Sequence, residues 1–236
     1  ERRVIAVTAG DRIRAAVTAA GTKLSMWFTS RSHPPFVALH DAVAAGKLGD
    51  LVSLISTHPH KTSRASAPPW YFDPNVYTGP FHDLACHGVD QVRWMTGAEC
   101  VGVHCLSTCR KYTDDPRLED HVQASFQMSD GSLATLTADW LTPQKSPSFG
   151  DTRFVMMGTK GSAHLRAYAE DDLLLVTDDE PPCRPEFPAP QGNAEDRVLE
   201  RVRPWHQIPL ERPQGQGMAG LGLDQSYQGA EQAVVI

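Results

Sequence analysis

Apolar side chains fall at Ile13, Ala16, Val17 and Ala20 within DRIRAAVTAA, the spacing of one helix face, and Gly21 follows as a stop. A helix over 11–20 is predicted. The next run, KLSMWFTSR at 23–31, is too short for an average helix and leaves a helix-stopping turn, which predicts a strand. In PPFVALHDAVAAGKLGD the prolines suit a first turn, Val37, Ala38, His40, Asp41 and Ala44 recur at helical intervals, and Gly46 ends the pattern. LVSLISTHPH then alternates as a strand does. It leads into TSRASAPPWYFDPNVYTGP, a proline-rich aromatic loop at 62–80, and loops of that length are more often functional than idle.

From Asp83 to Met95 the period turns helical again, with Leu84, Gly88 or Val89, Val92 and Met95 on one side and Gly97 as the stop. Beyond it, ECVGVHCLSTCRKY, HVQASFQMSDGSLATLTADWL, DTRFVMMGTKGSAHLRAY and DLLLVTDD read as strands. Asp130-Gly131 and Lys160-Gly161 are the hairpin turns. After residue 178 the chain is proline-rich, with a short helix predicted around NAEDRVLERV and no element in the last thirty residues. The fold class is α/β, with an open, largely antiparallel sheet in an α+β domain and helices on one face.

With 236 residues, 41% of them hydrophobic, the chain can bury a core of its own. The net charge of -6, from 28 acids against 22 bases without a basic block, argues against nucleic acid as a partner. No stretch approaches the roughly 18 to 20 apolar residues of a membrane span, and ERRVIAVTAGDRIR lacks a signal-peptide pattern, so a cytoplasmic protein without a membrane partner is expected. The five cysteines are odd in number and lack CxxC spacing; they read as mostly free thiols.

The chemistry concentrates in HDLACHGVD at 82–90. On a helix, Asp83, His87 and Asp90 stand at i, i+4 and i+7 and share a face, while His82 and Cys86 project elsewhere. Three readings are open. Asp83 serves a helix N-terminus and His87 is a satisfied, partly buried residue. Or Asp83 orients His87 so that the imidazole takes the proton of a hydroxyl being oxidised. Or His58, His60, His82 and His87 with nearby cysteines bind zinc, although the His58-Pro59-His60 pair has no fixed relation to the helix, so no metal is expected. There is no GxSxG, no GxxxxGKS and no GxGxxG.

The order KLSMWFTSRSHPPF, KLGDLVSL, GPFHDLACHGVDQVRWMTG, EDHVQASFQMSDGSLATLTADWLTP, DTRFVMMGTKGS resembles the Gfo/Idh/MocA oxidoreductases from about residue 5 to 178. Its most specific piece is D-x3-H-x2-D followed by WxxG, here Asp83, His87, Asp90 and Trp94 to Gly97. The resemblance implies that residues 1–32 are the last helix and strand of a Rossmann NAD(P)-binding domain, that 33–204 form the substrate and oligomerisation domain, and that 205–236 are a tail of unassigned structure. It implies His87 as proton acceptor or donor and Asp83 as the substrate-binding carboxylate; Arg31 stands where it would contact substrate or form a surface ion pair, and Trp140, at a strand end, where it would face substrate or pack against the sheet. Glu1-Arg2-Arg3 stands where a Glu-Lys-Pro motif would complete the site, without its lysine or proline. The implied protein is an NAD(P)-dependent dehydrogenase of a sugar, cyclitol or related hydroxyl compound, a homo-oligomer through its open sheet. The alternative is a cofactor-free binding or oligomerisation module of the same fold.

Overall fold

The computed structural model describes residues 2–22 and 28–187. Helix α1 spans Arg2–Ala20, longer than the predicted 11–20, and Gly21 ends it at φ +61°. It belongs to a different compact unit from residues 28–187. The strand predicted over 23–31 lies partly outside the described residues, and where it is described it is corrected. Thr29–Ser32 form a 3-10 turn, because Ser30 and Arg31 turn their side chains to a helix of the second unit. The helix predicted near NAEDRVLERV and the segment 205–236 also lie outside the described residues.

In the second unit, α2 (Pro34–Ala44) opens on two prolines, which supply helical φ without needing amide partners. Its buried residues are Pro35, Phe36, Leu39 and Ala42, a face rotated from the predicted one. The reason is size: Phe36 and Leu39 are fully buried, and Phe36 meets Phe154 edge-on at 5.4 Å, whereas Val37, Ala38 and Ala44 offer less apolar surface. Strand β1 (Leu51–Pro59) follows. A single π-helical turn, Phe81–Ala85, then runs into α3 (Cys86–Thr96), which Gly97 ends at φ +67°.

The remaining strands are β2 (Cys100–Thr108), β3 (His121–Met128), β4 (Leu133–Asp139), β5 (Thr152–Gly158), β6 (Gly161–Ala167) and β7 (Asp172–Thr177). They join β1 in a seven-stranded sheet of order β2-β3-β4-β1-β5-β6-β7, antiparallel except for the central β1 and β4. Alternation sends Leu54, Ser56 and His58 of β1 and Ala134, Leu136 and Ala138 of β4 inward, under α3 and the π-helical turn before it, while α2 packs on β6 and β7. The other face carries exposed apolar residues on the central strands, with Ser53 of β1 flanked by Leu133 and Met157. No helix among the described residues is long and apolar enough to cross a membrane.

Two strands that run parallel bring their C-terminal ends to the same edge of the sheet. His58, His60, Asp139 and Trp140 therefore gather there, and the His60 amide donates to the Asp139 carbonyl at 2.8 Å. Helix α3 crosses this edge. Gly88 allows the close approach, because a Cβ there would lie 2.6 Å from His58 Nε2.

Candidate active site

Asp83 sits in the π-helical turn and His87 in the first turn of α3, at the edge where β1 and β4 end. The expected hydrogen bond between them is absent. Asp83 Oδ2 instead accepts from the Tyr77 hydroxyl at 3.2 Å, and that phenol oxygen accepts from Trp140 Nε1 at 2.7 Å. The extra residue of the π turn changes the pitch at Asp83, so the ideal one-face stacking of an α-helix does not carry over. Burial pushes the Asp83 carboxyl up, against the Tyr77 hydrogen bond and the attraction of His87, which favour the ionised form.

His87 is half-buried, and its Nδ1 is buried with no hydrogen-bond partner among the described residues. The Phe28 ring meets the imidazole edge-on at 5.6 Å. The imidazole thus has an aromatic wall on one side and an unpaired ring nitrogen, where buried polar atoms usually find partners.

Two more histidines feel His87. His58 is driven down to about 3 by burial first, then by repulsion from His87 and His60. His60 is lowered to about 4, again by burial and then His87. Both are neutral near pH 7, and His58 Nε2 lies 3.2 Å from Ser56 Oγ. Sequence spacing offered no route to this cluster, since β1 and α3 meet only in the fold. Among the described residues no group of three or more histidine, cysteine or acidic side chains could hold a metal ion.

Asp90 does not work beside His87. It receives Arg31 through two hydrogen bonds, Nε to Oδ2 at 2.7 Å and Nη2 to Oδ1 at 2.6 Å, and the guanidinium lies 5.4 Å from the Trp94 ring centre. The Arg31 charge is thus engaged with α3, next to Gln91 donating to Ser30 Oγ at 2.6 Å. Trp140, 5% exposed, stands behind Tyr77. A cavity of about 10 Å³, room for one water, lies against Tyr71, Tyr77, Tyr112 and Trp140. Cys86, beside Asp83, is pushed up to about 11 by burial and then by that carboxylate, so its thiol is a poor nucleophile.

Residues 36–164 match the model of the GFO/IDH/MocA C-terminal domain, and the chain belongs to that family. An inositol 2-dehydrogenase of Rhizobium meliloti (strain 1021) is 26% identical over 177 residues, 72% of this chain and 50% of that protein. The chain thus spans about half the length of the curated relative it matches. Among solved structures, an aldose-aldose oxidoreductase from Caulobacter crescentus, complexed with glycerol, superposes with a TM-score of 0.66 at 20% identity, over 82% of this chain and 57% of the other. A levoglucosan dehydrogenase in complex with NADH gives a TM-score of 0.59 at 18% identity, over 74% and 53%. At these identities the structures establish the fold.

Proposed function

We propose that this chain is the substrate-side domain of a nicotinamide-dependent oxidoreductase acting on a sugar, cyclitol or related polyol, with residues 1–32 closing an NAD- or NADP-binding Rossmann domain. The observation that carries the reading is His87: an imidazole with an unpaired buried Nδ1, beside the Asp83 carboxylate, on the signature helix of this family. Inositol, levoglucosan and aldose in the names of its relatives, and NADH beside one of them, support the substrate and cofactor classes.

Neither α2 nor α3 offers the dinucleotide a phosphate site. Helix α2 begins with two prolines, which lack the amide donors of a phosphate site, and α3 continues a preceding helical turn without a free N-terminus. The sequence contains no GxGxxG. The cofactor, when bound, would supply the hydride acceptor.

The chain's own part is the proton. A substrate hydroxyl donates to His87, which takes its proton as the carbonyl forms and returns it in the reverse direction. Asp83 accepts a hydrogen bond from a neighbouring hydroxyl and fixes which carbon faces the acceptor. Arg31 supports the substrate site indirectly, by tying α3 to the segment before α2, and Trp140 does so from behind Tyr77. The exposed central strip of Leu133, Ile55 and Met157 is the surface through which copies associate.

The test is the full protein carrying His87→Asn. Polyol-dependent NAD(P) reduction is lost while cofactor binding, read by fluorescence, is kept; a variant that oxidises polyols at the native rate contradicts the assignment. The module reading draws on the lack of a phosphate cradle at α2 and α3. It predicts that the full protein binds neither NADH nor NADPH, which calorimetry decides.

A further inference from the structure

Tyr77 lies in the aromatic loop between β1 and α3, where no periodicity marks it, yet it is 5% exposed and makes two hydrogen bonds of opposite sense. Trp140 Nε1 donates to its oxygen at 2.7 Å, and its own O–H donates to Asp83 Oδ2 at 3.2 Å. An indole can only donate and a carboxylate can only accept, so the direction of the chain is fixed: indole to phenol to carboxylate.

The backbone holds each member. The Trp140 amide donates to the carbonyl of the fully buried Asp120 at 2.9 Å. The Tyr77 amide bonds the Asp73 carbonyl at 2.8 Å, and the Tyr71 ring stacks on Tyr77 at 5.3 Å. Gly79, at φ +91°, makes the turn that lets Tyr77 face Asp83 six positions on; a Cβ there would be strained and would lie 2.6 Å from Glu119 Oε2.

We infer that Tyr77 is the positioning residue of the proposed site: fixed by Trp140, its phenol holds one oxygen of Asp83 and leaves Oδ1, which no described residue hydrogen-bonds, to a substrate hydroxyl. This rests on the proton-transfer reading above. It extends that reading to a residue that does not take part in the proton transfer. The donated bond also favours the ionised carboxylate over the neutral acid, against the burial that pushes Asp83 up. Donation from Trp140 polarises the phenol and strengthens its own bond to Asp83. The other titratable groups facing Asp83 are Tyr71 from the loop and Cys86 and His87 from α3.

Tyr77→Phe removes one oxygen and keeps the ring. The first readout is carboxyl carbon NMR of Asp83 in the full protein, its signal identified with Asp83→Asn. The Asp83 midpoint rises in Tyr77→Phe, and it rises less, in the same direction, in Trp140→Phe. The second readout is kinetic: kcat/KM for polyol oxidation falls about tenfold or more in Tyr77→Phe, the loss of a hydrogen bond to a charged group. Far-UV circular dichroism confirms folding, and if Tyr77→Phe does not fold, Trp140→Phe carries both measurements. A folded variant whose Asp83 titrates as in the native protein overturns the inference, as does a shifted midpoint with unchanged kcat/KM. Native activity in Asp83→Asn and His87→Asn refutes the proton-transfer reading instead, while the midpoint still reports the Tyr77 contact.

Discussion

Acid weakens this fold through a histidine on the central strand. In the folded chain His58 is neutral until about pH 3, because burial and then the charges of His87 and His60 oppose its protonation, whereas an unfolded imidazole titrates near 6.5. Between those values the unfolded chain binds the extra proton, so stability is complete above 6.5 and falls as the pH falls toward 3. At about 1.36 kcal/mol per pH unit, His58 alone removes about 2 kcal/mol by pH 5. His60, lowered to about 4, acts with the same sign. Asp83 acts with the opposite sign, since its raised carboxyl holds a proton in the folded chain where the unfolded one has lost it. The assay is urea denaturation at pH 7 and pH 5 of the native protein and of His58→Gln, which keeps an amide near Ser56 Oγ and cannot titrate. The contributions of His60 and Asp83 are common to both proteins. The variant loses about 2 kcal/mol less than the native protein on acidification; an equal loss refutes the assignment of a buried, neutral His58.

Gly88→Ala improves helix propensity but drives a methyl into the His58 ring and toward Leu136 Cδ2, 3.2 Å from the added carbon, so it destabilises by about 1–3 kcal/mol in urea titration. Arg31→Ala leaves Asp90, whose side chain is 7% exposed, without its guanidinium and costs about 3–5 kcal/mol. Adding Asp90→Ala recovers part of that loss in a double-mutant cycle, because the stranded charge is removed with its partner.

Local signals in the sequence marked most of the architecture. Gly21, Gly97 and Asp130-Gly131 stop helices or turn hairpins where predicted, because φ > 0 at a glycine is a property of a few neighbouring residues. Alternation along LVSLISTHP identified β1, since one face of a sheet must be covered. The D-x3-H-x2-D spacing found the helix that bears His87, but it misread what Asp83 touches: a π turn inserts one residue, and the partner, Tyr77, lies in a loop without period. The α2 face was misplaced because spacing weighs Ala38 and Phe36 alike, while burial favours the larger ring. Thr29–Arg31 were predicted extended from their apolar neighbours, yet Arg31 is bound by Asp90, 59 residues on, a contact no local window contains.

In the proposed reaction His87 moves the substrate proton. Imidazole added to the His87→Ala form of the full protein tests it, with polyol oxidation followed as NAD(P) reduction. Turnover absent without imidazole and restored in proportion to its concentration is the predicted result, because a free base then fills the space of the lost ring. Native turnover in His87→Ala without imidazole contradicts it.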